Sequence, residues 1–179
     1  MEQHKINRLA DDLEPLFEEV EESIHQPVRR AERDAIRADY VNRQYTNLQS
    51  KLINYITKHS AAGYLHEQFY LYYEIKLAQW QGEEAGHIRS LAHRALELTK
   101  PIDVIPDCKS KKYTYVEMEW LLILIECRHE QWSDSEKREI CLLKIIQYAR
   151  LYFETERCEN IEDRAWQILL AGADTSTVG

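Results

Sequence analysis

The sequence predicts an all-α protein of about seven helices stacked as antiparallel hairpins, and three observations carry that expectation. Its 179 residues include only four prolines and five glycines, and the abundance of Glu, Leu, Ala, Lys, Arg and Gln favours helix over sheet. The stretch Thr114 to Glu130, TYVEMEWLLILIECRHE, holds an unbroken apolar run from Trp120 to Ile125. In a helix, where each residue turns about 100°, such a run leaves no polar face. Finally, two segments share one pattern at an offset of 52 positions, with Phe69 to Tyr73 falling on Leu121 to Ile125, Glu74 on Glu126 and Trp80 on Trp132.

The central segment opens with the spacing of a capping box, in which Thr114 accepts from the amide three residues on and Glu117 reaches back to the amide of Thr114. A helix that is apolar all round must be enclosed by others. Glu117, Glu119, Glu126, Arg128 and Glu130 crowd its ends, and at about 17 residues it is a poor membrane span.

Upstream, Ile6, Leu9, Leu13, Leu16, Phe17, Val20 and Ile24 follow the spacing of an amphipathic helix. Pro15 should kink it or divide it into two helices, and His25-Gln26-Pro27 should end it. So narrow a seam suits either dimerisation or packing on the rest of the chain. A second helix is expected from Val28 to Lys58, its stripe starting shallow (Ala31, Ala35, Ala38, Val41) and deepening through Tyr45, Leu48, Leu52, Ile53 and Ile56. His59 to Gly63 reads as a turn. Tyr64 to Trp80 and Glu83 to Thr99 are the next two helices, joined by Gln81-Gly82, a turn short enough to force an antiparallel hairpin. The two prolines of Lys100 to Tyr113 mark the one substantial loop. After the central helix, Gln131 to Ser133 makes a turn, and Ser133 with Glu136 opens a helix carrying Ile140, Leu143, Ile146, Ala149, Leu151 and Tyr152. Asn160 is expected to cap a last helix through Trp166, Leu169 and Leu170.

The offset segments extend further: Ile88 meets Ile140, Leu91 meets Leu143 and Leu96 meets Tyr148. Repeated hairpins that need a neighbour to bury a face are the mark of helical-repeat architectures. A tetratricopeptide-like α-α superhelix follows, with the 100–113 loop accounting for the length beyond the usual repeat of about 34 residues. Gly82, Ala92, Ala95 and Leu96 suit the second helix of such a unit, whereas the first lacks its Trp-Leu-Gly pattern. The expected organisation is one helical-repeat domain over 1–171: long N-terminal helices over 1–60, a hairpin at 64–99, a hairpin at 114–156 and a terminal helix at 160–171. Residues 172–179 then form a tail.

A formal net charge of −8 argues against direct nucleic-acid binding by this chain, because phosphate neutralisation needs a basic surface. The basic stretches Arg29 to Arg43 and Lys109 to Lys112 are diluted by Glu32, Asp34, Asp39 and Asp107. Cys108, Cys127, Cys141 and Cys158 show no C-x-x-C spacing and read as reduced thiols of a cytosolic protein. The N-terminal MEQHKINRLADD lacks the apolar core of a signal peptide, and no segment approaches the length of a transmembrane helix. A cytoplasmic location without membrane contact is expected.

Catalytic constellations are scarce. Glu22/His25, Glu84/His87 and Glu126/His129 repeat the Glu-x-x-His spacing with which ferritin-like bundles hold two metal ions. All three fall at helix ends, whereas bundle ligands sit mid-helix and face inward, so no metal site is assigned. A Gly-rich phosphate loop, G-x-S-x-G and H-E-x-x-H are all lacking. Cys127 and His129 lie two apart on a helix and point to different faces. No catalytic residue and no cofactor are assigned. The aromatic density of Tyr64, Phe69, Tyr70, Tyr72, Tyr73 and Trp80 suits a core with a binding groove alongside it. The candidate partner-binding residues are Tyr70, Tyr73, Trp80, Glu119 and Trp120.

The run Ala95-Leu96-Glu97-Leu98-Thr99-Lys100-Pro101, then Tyr115-x-Glu117-Met118-Glu119-Trp120-Leu121-Leu122, a short turn and a helix ending near Tyr148 resembles the C-terminal tetratricopeptide-like sensor region of Xre-type helix-turn-helix transcription regulators, the peptide-responsive Rgg-like members included. The resemblance spans roughly Tyr64 to Tyr152. It implies a homodimer that senses a peptide or protein partner and passes its state to a DNA-binding head. No such head precedes Ile6, so the chain reads as the sensor portion of a longer regulator or as a headless relative. The expected function is therefore a non-enzymatic regulatory domain. The alternatives are a stand-alone helical-repeat adaptor for protein–protein interaction and, third, a ferritin-like di-metal protein.

Overall fold

A computed structural model describes residue 11 and residues 13–102, 106–127 and 132–176, with side chains as far as residue 172. The described residues are all-α, with eight helices and no strand: α1 (Glu14–Val20), α2 (Gln26–Val41), α3 (Tyr45–His59), α4 (Tyr64–Gln81), α5 (Ala85–Glu97), α6 (Tyr115–Glu126), α7 (Ser135–Tyr152) and α8 (Thr155–Ser176). None of them is long and apolar enough to cross a membrane. The chain forms two compact units, Met1–Glu84 and Ala85–Gly179. The division falls inside the stretch expected as the first hairpin, 64–99. In the first unit α4 packs on α3, and in the second α5 packs on α6.

The first unit is set by where its helices stop. Pro15 lies in the first turn of α1, where its missing N–H costs nothing, so it opens a helix instead of kinking one. The expected start at Ile6 lies outside the described residues. Pro27 likewise opens α2. The turn between them is tied by the Gln26 side-chain amide, which donates to the carbonyls of Glu18 at 3.2 Å and Glu21 at 2.9 Å. The single helix expected from Val28 to Lys58 is two. Arg43 takes a left-handed φ of 56°, the Gln44 amide bonds the Asp39 carbonyl at 2.8 Å and the Arg43 amide that of Tyr40 at 3.1 Å. That is a Schellman termination with arginine where glycine is usual. The three-residue turn returns α3 antiparallel to α2. Gly82 (φ 67°) ends α4 by the same bonds, from Glu83 to Ala78 and from Gly82 to Gln79. The core is aromatic: Phe69 on α4 meets Tyr55 at 5.1 Å, Tyr73 at 5.1 Å and Phe17 at 6.2 Å between ring centroids. Leu13 and Phe17, from the N-terminal seam, are buried in this core.

In the second unit α6 is enclosed as its sequence requires. Every residue from Tyr115 to Ile125 is buried except Glu119, which is half-buried, with α5, α7 and α8 packed around it. Both halves of its capping box are formed: the Glu117 amide donates to Thr114 Oγ1 at 3.2 Å and the Thr114 amide to Glu117 Oε1 at 2.9 Å. The other Glu117 oxygen accepts from Thr99 Oγ1 at 2.6 Å and pairs with Lys100 at 3.1 Å, which fastens the chain just after α5 to the start of α6. The loop that follows is held to α7. The Tyr148 hydroxyl accepts from the Tyr113 amide and donates to its carbonyl, and the Tyr152 hydroxyl donates to the Cys108 carbonyl at 2.8 Å.

Three expected boundaries move. Asp134, not Ser133, caps α7, its carboxylate accepting from the Lys137 amide at 2.8 Å. The last helix begins at Thr155, ahead of Asn160, and continues to Ser176 across most of the expected tail. The matched tryptophans differ in setting, since Trp80 is 58 % exposed and Trp132 fully enclosed.

Candidate functional site

The first unit holds a buried charged cluster, and it begins with Arg33. Its place on α2 turns the side chain toward the core, where it is 1 % exposed. A guanidinium has five N–H donors in a rigid fork, and here each has an acceptor. Nε and one Nη2 proton bind the Glu14 carboxylate at 2.9 and 2.8 Å. Nη1 and Nη2 bind Glu21 at 3.2 and 3.0 Å, and Nη1 also reaches the Tyr55 hydroxyl at 3.3 Å. The cation lies 3.8 Å from the centroid of the Phe17 ring. One turn on, Arg37 holds Asp11 at 2.7 and 2.9 Å and Glu14 at 2.8 Å, and the Tyr73 hydroxyl donates to Asp11 at 2.6 Å. The carboxylates come from α1 and its flanks, so the cluster fastens a seven-residue helix that is too short to be stable alone.

His66, in the first turn of α4, closes the cluster. Burial pushes its pKa down to about 4, against the pull of Glu21, so the ring is neutral at physiological pH. Glu21 can only accept, which places the proton on Nε2, 3.3 Å from Glu21. Nδ1 then accepts from the Tyr55 hydroxyl at 2.6 Å. Burial likewise pushes the Tyr55 phenol up to about 12, despite Arg33. Burial would raise Glu14 too, but Arg33 and Arg37 outweigh it and hold that carboxyl below its usual range. His59 stacks beside His66 with ring centroids 5.3 Å apart and bonds Glu32 at 3.1 Å.

This arrangement positions groups and does not activate them. Both ring nitrogens of His66 are engaged and its low pKa makes it a weak base. Burial also raises the thiols of Cys127, Cys141 and Cys158, the reverse of what a thiolate nucleophile needs. Among the described residues no group of three or more His, Cys, Asp or Glu side chains could hold a metal ion. His129 lies outside them, and Glu22 and His25 are 3.9 Å apart on the surface.

Beside the cluster is a cavity of about 450 Å³ between the end of α1 and the start of α4. Phe17, Val20 and Leu65 give it an apolar wall, and Glu21, Arg29 and His66 a polar one. It also borders Gly63, the N-cap of α4, which has no side chain to cap the helix. Gly63 has φ 133°, and a Cβ there would meet nothing within 4 Å. Glycine is therefore required for its backbone angle and not for space.

The five residues expected to bind a partner are scattered. Tyr73 is fully buried with its hydroxyl on Asp11, and Trp120 is a buried core side chain of α6. With no accessible surface, neither lines a binding face, which corrects both expectations. Tyr70 and Glu119 are half-buried. Trp80 alone is open, lying against Tyr45 with ring centroids 4.3 Å apart. Tyr70, Tyr73 and Trp80 belong to the first unit, Glu119 and Trp120 to the second. The residues that build the buried charged cluster were missed. Their sequence signal is slight: Glu14 and Glu21 seven apart and Arg33 and Arg37 four apart, each pair on one helical face. No protein-family model, curated protein or solved structure matches the chain.

Proposed function

We propose that this chain is a non-enzymatic regulatory domain that takes up a short peptide or a segment of a protein partner in the cavity between α1 and α4. The observation that carries this reading is the cavity itself, whose volume of about 450 Å³ lies in the usual range for ligand sites, ~300–1,000 Å³. Its walls suit a peptide. Val20 and Tyr64, both exposed on its wall, offer a seat for one apolar side chain. The uncapped amino end of α4 offers donors to a backbone carbonyl. The fixed cluster behind these groups keeps them in place before a ligand arrives, which lowers the ordering cost of binding.

The same reading places the chain as the sensor part of a bacterial Xre-type regulator. Its support is that α5 ends at Glu97 and α6 begins at Tyr115, where the resemblance requires helix ends. The test is a peptide-array screen followed by calorimetry. Apolar peptides that bind the protein should lose affinity for Val20→Trp, which fills the mouth of the cavity from an exposed position. A set of binders that bind Val20→Trp equally well, or no binders at all, overturns the reading.

A further inference from the structure

In the second unit a pinned basic loop lies along an exposed strip of α7. Ile140, Lys144, Gln147 and Leu151 follow one another by four, three and four residues, the spacing of one helical seam, and all four are exposed. The strip covers three turns, about 16 Å. Beside it runs the loop that precedes α6. The Cys108 thiol donates to the Lys144 carbonyl at 3.8 Å, Tyr152 holds the Cys108 carbonyl, and Tyr148 holds the backbone of Tyr113. Lys109, Lys111 and Lys112 are thereby fixed over the turns of α7 between Lys144 and Tyr152. These three and Lys144 are all exposed, and none pairs with a carboxylate among the described residues. Lys51, Lys100 and Arg150, by contrast, are paired with Asp39, Glu117 and Glu162. Asp107, the one acid of residues 106–113 that could dilute the patch, accepts from the Lys109 amide. We propose that this strip and loop receive an acidic amphipathic helix of a partner protein, its apolar side chains seated on Ile140 and Leu151 and its carboxylates on the four lysines.

Charge and shape together choose that occupant. Four cations without internal partners, on a chain of formal net charge −8, are complementary to carboxylates and draw them against the field of the remaining surface. A nucleic acid or an anionic membrane carries its charge far beyond the strip. Past a Debye length of about 8 Å it would meet an acidic protein, and a membrane would need an apolar face wider than one row. A helix of about three turns is charged only where the patch is. Apolar residues recurring along one of its faces match the row on α7. Glu136, one turn ahead of Ile140 and exposed, closes the strip at its amino end, so the partner's carboxylates belong opposite Lys144 and the loop. The surface lies in the second unit, and the inference is independent of the cavity in the first.

The test uses the full chain and a fluorescent helical peptide of about four turns, with leucine along one seam and glutamate on both flanks. A counterpart with glutamine at every glutamate position is the control. Fluorescence anisotropy should show the acidic peptide binding, and the glutamine peptide binding at least about tenfold more weakly. The triple variant Lys111→Glu, Lys112→Glu, Lys144→Glu should weaken the acidic peptide at least about tenfold, because single exposed pairs count for little and the patch acts as a set. Lys144→Glu alone should weaken it measurably. Lys58→Glu, the same change of charge at an exposed site in the first unit, should not. Circular dichroism checks that each variant keeps its helix content. No binding of the acidic peptide, equal binding of the two peptides, an unaltered affinity in the triple variant, or equal losses in Lys144→Glu and Lys58→Glu overturns the proposal. So does tighter binding to phosphatidylserine vesicles or single-stranded DNA, which would give the patch to a membrane or a nucleic acid.

Discussion

The guanidinium of Arg33 lies 3.8 Å from the centre of the Phe17 ring, and that contact joins the two kinds of packing that hold α1 down. On one side the ring reaches Phe69 and the aromatic core. On the other the cation holds Glu14 and Glu21, at the two ends of α1. Removing the cation leaves two carboxylates without their main partner in a dry site. Breaking such a pair from one side costs about 3–5 kcal/mol, more than the cation–π contact of about 2 kcal/mol. Arg33→Met should therefore lower the unfolding free energy of the first unit by roughly 3 kcal/mol. Arg33→Lys should recover only part, because an ammonium cannot serve both carboxylates and Tyr55 in the fork geometry. Urea unfolding of the three proteins gives the comparison; a Met variant as stable as wild type would show that α1 does not depend on the cluster.

His66 makes the same region acid-sensitive, and the sign follows from its lowered pKa. Unfolded, the ring takes a proton near its ordinary 6.5; folded, only near 4. Between those values the unfolded state binds more protons, so stability falls as pH drops from about 6.5 to about 4 and levels off below. The loss is on the order of 3 kcal/mol. The lowered pKa of Glu14 acts in the same direction at lower pH, since its contribution is present above the ordinary carboxylate pKa and fades as pH falls through the folded one. His66→Gln should flatten the 6.5-to-4 part of a stability–pH curve measured by urea titration. An equally steep curve in that variant would assign the slope to another group.

The two tryptophans expected to bind a partner separate cleanly in stability. Trp120 is 1 % exposed within α6, and truncating a buried aromatic costs about 3–5 kcal/mol. Trp80 is open and loses only its stack on Tyr45, worth about 1 kcal/mol. Trp120→Ala should lower the urea midpoint of the second unit sharply, while Trp80→Ala should barely move that of the first. Equal shifts would contradict the burial of α6.

These contrasts show what a periodicity reading can reach. The all-round apolar run Trp120 to Ile125 could only be an enclosed helix, and Thr114 with Glu117 could only be its start, because both signals are local. The residues of the charged cluster carry only a slight local signal. Arg33 and His66 sit among ordinary polar residues, and their burial follows from the return of α3 and α4 against α1. That return depends on the break at Asn42 to Gln44, where neither glycine nor proline announces a turn. Aromatic clustering pointed to Tyr73 and Trp120 because large rings serve cores and binding faces alike, and here the core claimed both. On α7 the mixture of exposed Leu143 and buried Leu142 averages to a weak helical pattern, which hid its open face.

Arg43 is the place where the break can be tested. It holds φ 56°, a conformation that costs a residue with a Cβ about 1–2 kcal/mol and glycine almost nothing. Part of that gain is lost because glycine also frees the unfolded chain. Arg43→Gly should thus stabilise the first unit by about 0.5–1 kcal/mol. Arg43→Val, whose branched Cβ tolerates positive φ least, should destabilise it or push the break toward a continuous helix. Urea midpoints read the first effect and helical ellipticity the second. If Arg43→Gly is less stable than wild type, the side chain itself holds the turn, and the left-handed angle is a consequence of its contacts instead of their cost.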